Sequence, residues 1–194
     1  MSPVSDKTPR KEASRERILE SAGVLMREKG IAGASVASVM GGAGMTVGGF
    51  YAHFPSKQSL VAETLRSTLR KSRADLESYA GDRRGADWVE AVTRSYLSRA
   101  HRDNPETGCP LPATAGELAA ADMQVREVLA EEIDVYVAEM TRHLREAGAD
   151  GARSEALASL ATMVGGLTLA RAMKGTPLSD EVLKASRDHI KRSL

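Results

Sequence analysis

The chain has 194 residues, of which 42% are hydrophobic and only 4% are aromatic. That length allows a substantial core, and a core built mainly from Ala, Leu, Val and Met favours helices over strands. The single cysteine, Cys109, excludes an intramolecular disulfide. The N-terminal residues lack the apolar segment of a signal peptide, and no apolar run approaches the roughly 18 residues of a membrane span. We therefore expect a soluble cytoplasmic protein without a membrane partner.

The charge is distributed unevenly along the chain. The net charge is +1, but residues 1–73 carry 12 Lys or Arg against 6 Asp or Glu, and residues 74–194 carry 15 against 20. A basic first third and an acidic remainder predict that a polyanion binds to the first third only.

Apolar residues recur at helical spacing along most of the chain, and no segment shows the alternation of a strand. Ser35, Thr46 and Ser56 are good N-caps, and Gly30 is a good helix end. The pattern predicts an all-α fold of about nine helices, at approximately 14–30, 35–42, 47–53, 57–80, 86–102, 113–120, 122–147, 154–174 and 179–192. Two domains follow, a helix-turn-helix domain at 1–56 and a C-terminal domain at 57–194.

The second and third predicted helices form a helix-turn-helix. Ala43 and Gly44 are small enough for a close crossing at the turn, and Thr46 caps the next helix. Phe50 and Phe54 lie at i and i+4, so both can anchor that helix in the core. The residues between them then face outward. Tyr51 taken alone is more typical of a half-buried core tyrosine.

The run Ala43-Gly44-Met45-Thr46-Val47-Gly48-Gly49-Phe50-Tyr51-Ala52-His53-Phe54-Pro55-Ser56-Lys57 resembles the signature of the TetR/AcrR family of bacterial transcriptional regulators. Arg17-Ile18-Leu19-Glu20-Ser21-Ala22, some 30 residues before the tyrosine, is similar to the family's opening helix. The resemblance implies a homodimeric repressor that binds palindromic double-stranded operator DNA and is released by a small-molecule effector. It also implies that the effector shifts the long helix at 57–79.

The resemblance implies DNA-contacting roles by position. Thr46, Val47 and Gly49 stand where the family usually contacts bases, whereas Tyr51, His53 and Lys57 stand where it usually contacts phosphates, as does the cap residue Ser35. We also consider phosphate contacts by Arg10, Arg15 and Arg17. Met40 departs from the family pattern, which usually has a small residue there, and Gly41 and Gly42 stand where stronger helix formers are common. Each glycine costs about 1 kcal/mol relative to Ala inside a helix, so the second helix is expected to be short or mobile.

The C-terminal half is expected to contain the dimer interface and the effector pocket. Residues 156–173 are apolar nearly all round, which is typical of a helix buried on all sides, and the resemblance implies dimerisation through the last two helices. Adaptable or aromatic side chains for a pocket between the middle helices are Trp88, Tyr96, Met123, Tyr136, Met140 and Met163. Ordinary core packing explains each of them equally well.

Cys109 precedes a predicted helix, and a helix N-terminus lowers a thiol pKa. The Gly108-Cys109-Pro110-Leu111 segment is similar to a subgroup of the family in which some members sense electrophiles or oxidants through such a cysteine. The alternative is a buried structural cysteine. No catalytic pair, metal-spaced cluster or cofactor motif is evident, so neither an enzyme nor a cofactor is expected. The rival function is an all-α ligand or thiol sensor that acts through a protein partner.

Overall fold

The computed structural model describes residues 7–192 and Leu194, and these residues form nine α-helices and two short 3-10 helices without strands. This confirms the predicted all-α class. The α-helices are α1 (Lys7–Gly33), α2 (Val36–Gly42), α3 (Lys57–Ala80), α4 (Gly85–Tyr96), α5 (Arg99–Asp103), α6 (Leu111–Leu118), α7 (Met123–Glu146), α8 (Ala152–Ala172) and α9 (Pro177–Lys191). The 3-10 helices are Val47–Ala52 and Pro105–Thr107.

The first helix is longer than the sequence pattern predicts. It begins at Lys7 rather than Ser14, since Pro9 lies in the first turn, where proline is tolerated. Gly30 does interrupt it, with φ +72° and ψ −177°. That backbone conformation is essentially restricted to glycine, so the kink near the end of α1 is encoded by one residue.

The predicted fifth helix is divided in two. Backbone angles of −90° and 43° at Leu97 end α4, and Ser98 caps α5 by accepting a hydrogen bond from the His101 N–H at 3.1 Å. Leu97 is fully buried. Its side chain therefore continues the apolar pattern of α4 although the backbone turns at this residue. For that reason the hydrophobic periodicity predicts one uninterrupted helix.

Only one face of α8 is buried within this chain. Ala156, Met163, Leu167 and Ala170 are inaccessible, but Leu157 and Leu169 are 47% and 54% exposed. The expectation that this helix is buried on all sides is thus not met by the single chain. Within residues 7–192, no helix is long and apolar enough to cross a membrane.

Candidate functional site

The helix-turn-helix is assembled by close contacts between α1, α2 and the 3-10 helix Val47–Ala52, which we call the recognition segment. Ser21 Oγ donates to the Val39 carbonyl oxygen at 2.9 Å. A Cβ on Gly42 would overlap Ser21 Oγ, so this glycine permits α1 and α2 to approach. Gly42 lowers the helical propensity of α2, but close packing against α1 explains why a glycine stands there.

Phe50 and Phe54 anchor the recognition segment as predicted. Their side chains are at most 1% exposed, and the two rings stack with centroids 5.8 Å apart. The segment is a 3-10 helix rather than the predicted α-helix. Thr46 takes the N-cap position but makes no side-chain capping hydrogen bond, contrary to expectation. Its hydroxyl is therefore available to an external acceptor or donor.

The opposite side of the recognition segment faces solvent. Tyr51 is 75% exposed and Val47 is 50% exposed, although apolar and aromatic side chains of this size usually pack inside. The interpretation of Tyr51 as a half-buried core tyrosine is therefore wrong. Gly49 is partly buried beside Met40, with the Met40 methyl group 3.7 Å from the position of a Cβ. Ser35 caps α2 by accepting from the Ser38 N–H at 3.1 Å.

Two of the residues expected to contact phosphate are affected by their surroundings within the chain. Lys57 Nζ donates to the Ile31 carbonyl oxygen at 3.1 Å, which occupies one of its three donors. His53 Nδ1 is buried and has no hydrogen-bond partner in the part of the chain that the structure describes. Burial, together with Lys11 and Arg15, lowers the pKa of His53 below its usual value, so this imidazole is neutral at pH 7.

The three arginines near the start of α1 differ in their availability. Arg15 forms an ion pair with Glu63, and its guanidinium lies 4.3 Å from the centroid of the Phe54 ring. It therefore ties α1 to α3 rather than standing free for phosphate. Arg10 and Arg17 are exposed.

The residues proposed for an effector pocket are divided between the packed core and the surface. Met123 is 60% exposed because it begins α7 at the surface. Trp88 stacks on the His143 ring at 4.1 Å, and Tyr136 Oη lies 3.6 Å from Met163 Sδ. Met140 is fully buried. These four buried side chains, Trp88, Tyr136, Met140 and Met163, are core residues here.

Tyr96 does line a cavity, of about 440 Å³, between α3, α4, α5 and the 3-10 helix Pro105–Thr107. Its wall mixes polar and apolar surface, and includes Ser72, Ser98, His101 and Gly108. The sequence pattern missed these residues because they lie on separate segments that only the fold brings together. A cavity of this size can accept a small ligand.

Cys109 lies beside this cavity and is only 4% exposed. Its backbone N–H donates to His101 Nε2 at 2.9 Å. Burial raises the pKa of the thiol above its usual value, although Tyr96, Leu111, Ser72 and Arg171 act in the opposite direction. The expected lowering of this pKa by the helix N-terminus is therefore wrong, since desolvation is the larger effect.

Three long-range hydrogen bonds join α1, which supports the helix-turn-helix, to later parts of the chain. Arg27 Nε donates to the Glu106 carbonyl oxygen at 2.6 Å. The Glu117 carboxylate accepts from the Ile31 and Ala32 N–H groups at 2.8 and 2.6 Å. A Cβ on Gly30 would overlap Glu117 Oε1. Sequence reasoning missed Arg27 and Glu117, since their partners are about 80 residues away.

An all-α chain with an anchored, solvent-facing helix-turn-helix belongs to the class of helix-turn-helix DNA-binding proteins. Sequence models of two family domains match it: the one described as bacterial regulatory proteins, tetR family, at residues 18–64, and the one described as tetracyclin repressor-like, C-terminal domain, at residues 85–186. The chain belongs to the TetR family of bacterial transcriptional regulators.

Individual relatives agree with this assignment. The chain is 29% identical over 148 residues to the HTH-type transcriptional repressor KstR2 of Rhodococcus jostii (strain RHA1), covering 74% of this chain and 66% of that protein. It thus spans just under two thirds of that relative's length. The fold is similar to reduced NemR of E. coli, with TM-score 0.80, 18% identity and 93% and 96% of the two chains covered. A TetR regulator from Chloroflexus aurantiacus J-10-FL gives TM-score 0.80, 25% identity and 95% coverage of both chains.

Proposed function

We propose that this protein is a homodimeric repressor that binds palindromic operator DNA and is released by a small-molecule effector. The exposure of Tyr51 and Val47, on a recognition segment whose other side is anchored by Phe50 and Phe54, carries this proposal. Solvent-facing apolar and aromatic side chains on a rigid segment suit a macromolecular surface better than water. The name of the relative KstR2 supports repression.

The contacts to DNA divide by chemistry. Thr46, Val47 and Gly49 read base edges, with the Val47 methyl groups suited to a thymine methyl and the Gly49 backbone suited to close approach. Tyr51, Lys57, Ser35 and neutral His53 donate hydrogen bonds to phosphates, which position the protein without specifying sequence. DNA shape adds to specificity, because the segment offers few long hydrogen-bonding side chains.

Dimerisation uses the exposed face of α8. Leu157, Ala161, Gly165 and Leu169 are exposed on this face, and no other part of the described chain lies within 4 Å of the position of a Cβ on Gly165. An apolar stripe of small and large residues allows the same helix of a second copy to pack closely across a two-fold axis. The recognition segments of the two copies then contact successive major grooves roughly 34–36 Å apart.

The effector binds to the domain at 57–194 and changes the position of the DNA-binding domain at 1–56. The cavity beside Tyr96 is the effector site, and its wall at Glu106 is hydrogen-bonded to Arg27 of α1. Glu117 of α6 holds the end of the same helix. A ligand that moves these elements and α3 changes the separation of the recognition segments, and so lowers affinity for the operator.

The test is binding of the full chain to its own upstream DNA, compared with scrambled DNA of equal length and composition, over a salt titration. We expect selective binding, with log affinity falling by about 0.9 per contacted phosphate for each unit of log salt. Equal affinity for both DNAs at every salt concentration would contradict the proposal and favour a sensor that acts on a protein partner.

A further inference from the structure

The first part of α1 extends beyond the core of the chain. The helix is continuous from Lys7 up to the kink at Gly30, yet none of the side chains at 9–17 is buried, and the next one, Ile18, is. We call residues 9–17 the basic extension. Because helices in proteins are stabilised mainly by packing of an apolar face, a helical segment without one suits a partner outside this chain.

Positive and negative side chains occupy separate faces of the basic extension. At 100° per residue, its four cations lie within one arc of about 160°, namely Arg10, Lys11, Arg15 and Arg17. Glu12 and Glu16 lie on the other side of the helix at i and i+4, and Glu20 continues their row. A polyanion can therefore approach the basic face without meeting these carboxylates.

One edge of the basic face adjoins the recognition segment. Arg15 Nη1 donates to the His53 carbonyl oxygen at 3.4 Å. Lys11 lies one helical turn before Arg15 on the same side of α1. After burial, the charges of Lys11 and Arg15 lower the pKa of His53, which agrees with this placement. Lys11 therefore extends the surface at which His53 is expected to contact phosphate.

The other edge of the basic face adjoins α2. Ser21 Oγ donates to the Val39 carbonyl oxygen of α2 at 2.9 Å. Arg17 and Arg10 precede Ser21 by four and eleven residues, so both lie on its side of α1. The basic face thus continues the sides of α1 that contact the helix-turn-helix, whereas the acidic row lies on the opposite side.

Three of the four cations are available to a partner. Arg10, Lys11 and Arg17 are exposed, and the nearest recorded partner of the Arg17 guanidinium is Ser14 Oγ at 3.5 Å. Within residues 7–192, the ion pairs of α1 are limited to that of Arg15 with Glu63. Arg15 fixes the helix in place, and the other three cations are presented to solvent.

We propose that the basic extension binds the phosphate backbone of the operator through Arg10, Lys11 and Arg17, beside the recognition segment. The proposal rests on the proposed function, because it adds a second surface for the same DNA. Continuity with the recognition segment favours DNA over another polyanion, since a duplex held by that segment places its charged backbone next to the basic face. These contacts strengthen binding but carry no sequence information.

The test compares the wild type with the double variant Arg10→Gln and Lys11→Gln. The affinity of the full chain is measured over a salt titration, for its own upstream DNA and for scrambled DNA of equal length. The variant removes four phosphate contacts from a dimer, so the slope of log affinity against log salt should become shallower by about 3.6. At low salt its affinity should be at least about tenfold weaker. The ratio of the two affinities should change by less than about twofold, because both DNAs have the same backbone.

The double variant Lys71→Gln and Arg126→Gln is the matched control. It removes the same two charges from exposed positions on α3 and α7, and it should leave the salt slope unchanged. Both double variants should keep the Tm of the wild type, since all four side chains are exposed. Acetylation of lysines, measured by mass spectrometry with and without DNA, should show protection of Lys11 and none of Lys71.

The outcomes separate this proposal from the operator proposal. Selective DNA binding with an unchanged salt slope in the Arg10 and Lys11 variant would overturn the basic extension alone. An equal loss in the control variant would also overturn it, because net charge would then explain the effect. Binding without selectivity, but with the expected loss of slope, would overturn the operator proposal and support the phosphate contacts. Absence of all DNA binding by the wild type would overturn both.

Discussion

The Glu117 carboxylate accepts a hydrogen bond from the Ile31 backbone N–H at 2.8 Å, across 86 residues of sequence. Because a Cβ on Gly30 would overlap Glu117 Oε1, the kink and the carboxylate fit together. This contact joins α6 to the helix that supports the helix-turn-helix. It is a direct contact between the C-terminal part of the chain and the helix-turn-helix part.

The Glu117 contact predicts coupling between two substitutions. Glu117→Ala should lower the free energy of unfolding by about 1–3 kcal/mol, since it leaves backbone N–H groups without their charged acceptor. Gly30→Ala should cost at least about 1–3 kcal/mol because of its glycine-only backbone conformation. Urea denaturation of the double variant should show that Gly30→Ala costs less when Glu117 is absent. Strict additivity would mean that the carboxylate and the kink are independent.

Tyr51 should matter for DNA and not for folding. Its side chain is 75% exposed, so Tyr51→Ala should change the free energy of unfolding by about 0.5 kcal/mol or less. The same variant should bind operator at least about tenfold more weakly through loss of a phosphate hydrogen bond and apolar contact. Tyr79→Ala is the control, because Tyr79 is a 53% exposed tyrosine on α3 outside the recognition segment. Equal DNA affinity of the two variants would remove Tyr51 from the interface.

The buried carboxylate of Glu132 should contribute to the attachment of α7 to α3. It is 3% exposed and contacts Arg70 Nε at 2.8 Å and Arg73 Nη1 at 3.3 Å. Glu132→Gln should lower the free energy of unfolding by about 1–3 kcal/mol. This loss is smaller than for a fully buried ion pair, because the arginines remain partly hydrated. The exposed pair of Asp134 and Arg153 provides a control, since Asp134→Asn should cost about 0.5 kcal/mol or less. Similar losses in both variants would contradict the role of burial.

His101 makes stability depend on pH in the weakly acidic range. The folded pKa of about 4 lies below the usual 6.5, so the unfolded chain binds more protons between these values. The free energy of unfolding therefore rises from pH 4 to 6.5, by up to about 3 kcal/mol from this group. In denaturation series across that range, His101→Gln should have a shallower slope than the wild type. His53 and His143, whose pKa values are also lowered, keep part of the slope in the variant.

Cys109 should react slowly in the folded protein. Burial and a raised pKa both reduce access to the thiolate, so labelling by a disulfide reagent at pH 7 should be at least about tenfold slower than in denaturant. The folded rate should increase as the pH is raised above 9. Equal rates in folded and denatured protein would instead support the alternative in which Cys109 senses electrophiles or oxidants.

Local signals were sufficient for the helix-turn-helix. Phe50 and Phe54 at i and i+4, small residues at the turn and the proline after Phe54 require no knowledge of distant contacts. The 3-10 geometry of the recognition segment was not predicted, although Gly48 and Gly49 lower α-helical propensity there. Glycine content shows that an α-helix is weak, but not which alternative replaces it.

The contacts that connect the two halves were beyond local reasoning. Lys57 satisfies the phosphate pattern of its family, but its bond to the Ile31 carbonyl oxygen depends on how α3 packs on α1. Arg171 was overlooked because its helix was interpreted as a dimer interface. A single arginine in an otherwise apolar stretch was the available signal. Its Nε and Nη1 are unpaired among the described residues, which could be recognised only once the structure placed the His101 carbonyl oxygen against Nη2.

The most direct test of the central claim is a hydroxyl-radical footprint of the full chain on operator DNA. A two-fold symmetric repressor should protect two equivalent patches on one face of the duplex, with centres one helical turn, roughly 34–36 Å, or a multiple of it apart. The protection should be lost in Tyr51→Ala and retained in Tyr79→Ala. A single patch, or protection that is equal along the whole duplex, would contradict a homodimer that reads a palindromic site.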